Sequence, residues 1–126
     1  AQYNITDKIE CIGSLKQHEV PDAIAHADAL INVAQLESFS NNWVEAWASG
    51  RLLIARDASY AKDSCGDSAV YIDLDNPRDG AKAVAEAFEN QFIYDGYTTC
   101  GYKKLDQLPT ASEKYALYME VINENL

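Results

Sequence analysis

A chain of 126 residues suits one domain, and 48% apolar residues supply a core. The net charge of −10, with basic residues few and scattered, argues against a polyanion-binding stripe and hence against a nucleic-acid partner. No run approaches the roughly 18–20 apolar residues that span a bilayer, so no transmembrane segment is expected, and three cysteines without C-x-x-C spacing read as reduced thiols of a cytoplasmic protein.

In chain order, the N-terminal "AQYNITDKIE" lacks both a starting Met and the basic-then-apolar pattern of a signal peptide, which suits a processed end or a piece of a longer protein. "KIECIG", ending at Gly13, reads as a strand, and "EVPDAIAHA" as a short helix with Pro21 in its first turn and Asp22 near its positive end. His18 and His26 lack a nearby cysteine pair, so no zinc site is expected. "ALINVA" is a continuous apolar strand, as in a sheet covered on both faces. A polar turn and a helix from about Trp43 to Ser49 follow, with Gly50 placed to end it in the left-handed conformation. "LLIA" and "AVYIDL" read as two more strands.

"NPRDGAKAVAEAFENQF" offers Asn76 as N-cap and Pro77 at the first helical position, with Ala81, Val84, Ala85, Phe88 and Phe92 on one face. Residues 93–108, aromatic and glycine-containing, read as irregular. "TASE" opens a last helix as a capping box between Thr110 and Glu113, with Tyr115, Tyr118, Met119 and Ile122 at helical spacing. Strand–helix alternation of this kind implies an α/β fold, a Rossmann-like parallel sheet with helices on both faces. Ligands then bind beyond the carboxyl ends of the strands, where the turn after "ALINVA" lies.

That turn belongs to "ESFSNNWVEAWASG", in which Glu37 and Glu45 stand eight positions apart. Two roles compete. In the structural one, Asn42 and Glu45 form a capping box and Glu37 is a solvated loop residue. In the functional one, free amides at the helix start attract phosphate while the carboxylates accept hydrogen bonds from hydroxyls. Such a turn suits a molecule both phosphorylated and hydroxyl-rich, as a sugar nucleotide is. Trp43 and Trp47, four apart on the helix, read mainly as packing residues.

The same stretch resembles the signature of retaining GT-B glycosyltransferases of family 4, glycosyl transferases group 1: E-x7-E, an aromatic two residues after the first Glu, an "EA" pair, and a Gly five residues after the second. Glu37, Phe39, Glu45, Ala46 and Gly50 match it. The flanks "KIECIGSLKQHEVPDAIAHADALINV", "RLLIARD", "GDSAVYIDLDNPRDGAKAVAEAF" and "TASEKYALYMEVI" resemble the family's surrounding elements. The resemblance implies that Glu45 bonds the ribose hydroxyls and Glu37 the donor sugar. It implies that backbone amides from Phe39 through Ser40 and Asn41 to Asn42 face the sugar and diphosphate, that Leu15 reads the base through its backbone, and that Trp43 and Val44 shape the nucleotide pocket.

The resemblance further implies transfer of a sugar from a nucleotide-diphosphate sugar to an acceptor hydroxyl, in cell-surface polysaccharide or glycolipid biosynthesis. The nucleotide sugar is a substrate; no cofactor and no metal are implied, and no D-x-D pair lies near the motif. Residues 1–126 would be a truncated donor-binding domain of a cytoplasmic enzyme, peripheral at the membrane when full-length. The N-terminal acceptor domain, the first donor-domain strands and their Arg/Lys pair would be absent, since Lys8, Lys16 and Arg56 do not hold those motif positions. Two departures stand out: the turn reads "ESFSNN" where the family often has "EGFG", and Trp47 stands where Met is common. Alternatives are a catalytically silent GT-B scaffold or interaction domain and, less well supported, a phosphoacceptor receiver domain. The latter would use Asp57, but wants an acidic pair where the chain reads "CIGSL".

Overall fold

A computed structural model describes residues 4–125. Strands β1 (Ala29–Asn32), β2 (Leu52–Arg56) and β3 (Val70–Ile72) form a parallel sheet in the order β1-β2-β3. The register sets Ile31 beside Ile54, and Ile54 beside Val70.

Successive apolar residues in these strands bury toward opposite faces. On one face Leu30, Leu53, Ala55 and Tyr71 meet Trp43, Ala46 and Trp47 of α2 (Asn41–Ser49) and Ala61 and Cys65 of α3 (Ser59–Cys65). On the other, Leu52, Ile54, Val70 and Ile72 meet Ala83, Val84 and Ala87 of α4 (Pro77–Glu89) and Ile93, Tyr94 and Tyr97 of α5 (Gln91–Asp106). Helices thus cover both faces, as the alternation implies. Two more helices, α1 (Val20–Ala25) and α6 (Ala111–Glu124), bury no residue fully. Gly50 ends α2 at φ 64°, as expected, and the Thr110–Glu113 capping box forms.

Several sequence-based expectations are corrected. "KIECIG" is not a strand: nothing in the sheet pairs with it, and Ile9 and Ile12 stay 68% and 64% exposed. Alternating apolar residues favour an extended chain, but a strand also needs a neighbouring ladder. Helix α3 was not anticipated. The segment 93–108 is mostly helix α5, not irregular. Its glycines and aromatics are poor helix formers, yet Ile93, Tyr97, Gly101 and Leu105 recur every four positions along the packed side. Asn90 caps it, its side chain accepting bonds from the Phe92 and Ile93 amides at 3.0 and 3.4 Å. Lys103 and Lys104 stand at its negative end.

That cap also breaks the preceding helix at Asn90. Phe92 therefore belongs to α5 and is 85% exposed rather than part of an α4 face. The side of α4 that packs is Gly80, Ala83, Val84 and Ala87; Ala81, Ala85 and Phe88 are exposed. Gly80 sets this rotation, because a Cβ there would lie 2.9 Å from the Ile72 side chain. Asn76 precedes α4 as expected, but its side chain caps nothing and donates to Asp79 at 2.6 Å. The apolar stripe of α6 exists but is open to solvent at Tyr115, Tyr118 and Ile122.

Candidate functional site

The carboxyl end of β1 leads through residues 33–40 into α2. Asn32, the last strand residue, closes this turn: its Nδ2 donates to Ser40 Oγ at 2.7 Å, and its Oδ1 accepts from the Ala34 amide at 3.1 Å. The Tyr60 hydroxyl, from α3, donates to the Ala34 carbonyl. Beneath the turn Phe39 meets the edges of Trp43 and Trp47, with ring centroids 5.5 and 6.4 Å away, and Trp43 stacks on Tyr60 at 6.5 Å. Both tryptophans are buried, which bears out their packing role. Phe39 remains 44% exposed and can present its free face to a ligand.

Helix α2 starts at Asn41, two residues ahead of the sequence expectation, with Ser40 as its N-cap residue. Asn42 is therefore inside the helix, and no Asn42–Glu45 capping box exists. The Ser40 backbone has extended, cap-like angles, yet its side chain accepts nothing from the helix. The Trp43 amide reaches the Ser40 carbonyl at 3.2 Å. The amides of Asn41 and Asn42 are left uncapped by any side chain, at the positive end of the helix.

With the capping role removed, the Glu45 carboxylate is available. It takes part in none of the ion pairs among the described residues, and neither does Glu37; both are half-buried. Glu45 falls three and four positions after Asn42 and Asn41, on the same side of α2. It opens onto a cleft of about 300 Å³ between α1 and α2, lined by Pro21, Ile24, Ala48 and Ser49. Glu37 and Leu15 do not line that cleft. The structure thus gathers Glu37, Phe39, Ser40, Asn41 and Asn42 around the turn and Glu45 one helical turn further on. Val44 is half-buried against the α2 core, and Leu15, 40% exposed, lies on the loop ahead of α1.

Sequence reading missed Asn32 and Tyr60. Asn32 carries a weak signal, as a polar residue inside an apolar strand run; Tyr60 carries none, because its partner lies 26 residues away. The marked titration shifts belong to the α3–β3 layer. Burial pushes the Cys65 thiol up to about 11, against an opposing pull from Lys104. Burial, with nearby Cys65, Asp67 and Asp57, also raises the Tyr71 phenol.

The family model of glycosyl transferases group 1 matches residues 1–105. The chain belongs to this family. Comparison with curated proteins gives no match. The matched span includes the whole sheet, the Glu37–Gly50 stretch and nearly all of α5, and it stops short of α6. Membership associates the chain with glycosyl transfer and sets aside the receiver-domain alternative. Asp57, which that alternative required, pairs with Lys62 at 2.5 Å. No helix among the described residues is long and apolar enough to cross a membrane.

Proposed function

We propose that this chain is the donor-binding part of a retaining GT-B glycosyltransferase of family 4. It moves a sugar from a nucleotide-diphosphate sugar to an acceptor hydroxyl, in cytoplasmic assembly of a cell-surface polysaccharide or glycolipid. The observation that carries this reading is the uncapped start of α2, with Glu45 free on the same side of the helix, inside a chain that belongs to the glycosyl transferases group 1 family.

The amides of Asn41 and Asn42 face the diphosphate, Glu45 accepts hydrogen bonds from the ribose hydroxyls, and Glu37 accepts them from the donor sugar. Phe39 and Ser40 shape the sugar side of the turn; Val44 and the Leu15 backbone bound the nucleoside side. In the reaction, the bond from the anomeric carbon to the diphosphate oxygen breaks and a bond to the acceptor oxygen forms on the same face. Negative charge accumulates on the leaving diphosphate, whose departing oxygen takes the acceptor proton on that face. Fixed amides aimed at that charge lower the barrier without reorganising, and holding the acceptor in place supplies the rest.

The acceptor domain, the first strands of the donor domain and a cationic pair for the diphosphate come from upstream chain. The edge of β1 and the 8–13 segment, both unpaired among the described residues, support this, as does the open groove of about 410 Å³ between Ile31, Ile54 and Ile72 of the sheet and Val84 of α4. The 126 residues alone therefore bind donor weakly and do not turn over, and micromolar affinity for a sugar nucleotide would contradict this. The deciding experiment is calorimetry on the full-length protein with a panel of nucleotide sugars. Charged hydrogen bonds contribute about 1.5–3 kcal/mol, so Glu45→Ala weakens binding by roughly 10- to 100-fold at an unchanged melting temperature. Equal affinity in both proteins, or a collapse in melting temperature with affinity retained, would defeat the reading.

A further inference from the structure

Ser40 has the residue type and the backbone angles of an N-cap, φ −96° and ψ 132°, and an N-cap serine ordinarily turns its hydroxyl to the second or third helical amide. Here the hydroxyl is held by Asn32 Nδ2 at 2.7 Å and caps nothing. The Ser40 side is nearly sealed from water, at 7% exposure, so solvent does not compete for that hydroxyl. The other end of the same carboxamide holds the Ala34 amide. One half-buried side chain thus fixes both ends of the turn and removes the helix's own cap.

We propose that Asn32 is a positioning residue of the donor-binding turn, holding the Ser40 hydroxyl away from α2 so that the Asn41 and Asn42 amides stay free for the donor diphosphate. The proposal rests on the donor-binding reading above and adds to it a residue that touches no substrate. Without Asn32, the Ser40 hydroxyl rotates onto the Asn42 amide and competes with the ligand for it. The local helix gains a cap while the site loses a donor.

The test has one arm without ligand and one with it, both on the full-length protein. In the first, amide hydrogen exchange is followed by NMR with asparagine-selective labelling. Asn32→Ala slows exchange of the Asn42 amide roughly five- to tenfold, the effect of a cap on one donor. The Asn32→Ala/Ser40→Ala double variant returns it to the wild-type rate, because no hydroxyl remains to cap. Ser40→Ala alone leaves Asn42 exchanging as in wild type, because the hydroxyl that Asn32 Nδ2 holds caps nothing there; this variant decides the matter if Asn32→Ala does not fold. An Asn42 rate unchanged in Asn32→Ala, or raised in Ser40→Ala, overturns the proposal and leaves the donor-binding reading standing.

In the second arm, uridine, guanosine and adenosine diphosphates are titrated in parallel. Wild type shows shifts at the Asn41 and Asn42 amides with one of them. Asn32→Ala weakens that binding about tenfold, and adding Ser40→Ala recovers part of the loss. A loss that Ser40→Ala does not relieve overturns the diversion of the cap. A wild-type protein whose Asn41 and Asn42 amides respond to none of the three overturns the donor-binding reading, and this proposal with it.

Discussion

Helix α5 contains two glycines with opposite surroundings, and exchanging each for alanine isolates one contact. At Gly96 an added Cβ meets nothing within 4 Å; at Gly101 it lies 2.7 Å from Trp47 Cδ1 and 3.5 Å from the Trp47 Cα. Both positions are inside the same helix, so the propensity gain of about 1 kcal/mol applies to each and cancels in the comparison. At Gly96 it appears undiminished, as a rise of about 3–5 °C in melting temperature. At Gly101 the indole has nowhere to go: Trp47 is 2% exposed and packs in the core with Leu53 and Ala55. Overpacking of this kind costs about 1–3 kcal/mol, so Gly101→Ala falls below Gly96→Ala by that amount in urea denaturation. Because α5 presses on α2 through this contact, Gly101→Ala also displaces the helix that carries the turn. Equal stabilisation by both alanines would refute the close packing of α5 on α2.

Other expectations follow from single sites. Leu53→Ala empties a position 1% exposed and costs about 2–5 kcal/mol in denaturant titration. The Cys65 thiol, buried and raised to about 11, stays unreactive toward a thiol reagent at pH 8 until the protein unfolds, whereas exposed Cys11 reacts at once. The same shift makes Cys65 stabilising only while it is neutral. Its contribution is intact below the ordinary thiol value of 9.0 and declines toward pH 11, as the unfolded chain ionises first. Glu113 has the opposite sign: bonds from Thr110 hold its carboxyl below the ordinary 4.5, so its support of α6 is complete above that value and is lost as pH falls through the depressed one. Circular dichroism shows this as an acid loss of helix that Glu113→Gln removes and that Thr110→Ala, which keeps the residue-110 amide bond to Glu113, only lessens.

The local chemistry of the sequence determined most of the architecture. Apolar runs long enough for a strand and too short for a helix marked β1, β2 and β3; Gly50 and Thr110 marked helix ends because their roles depend on a few neighbouring atoms. The stretch from Glu37 to Gly50 was legible as a strand-to-helix turn for the same reason, and its uncapped amides and the Glu45 carboxylate are what the donor-binding proposal rests on. Tertiary structure alone decided the rest. Whether "KIECIG" is a strand depends on a partner that local sequence does not contain. Helix α5 forms against its own weak propensities because Gly101 admits the Trp47 ring and its apolar face is buried, a gain invisible to any local window. The N-cap position of α2 is held by Ser40 rather than Asn42, and its hydroxyl caps nothing because a strand residue eight positions earlier holds it. Long-range contacts of this kind outweigh local preference because burial and satisfied polar groups contribute more than the few tenths of a kcal/mol that separate one backbone choice from another.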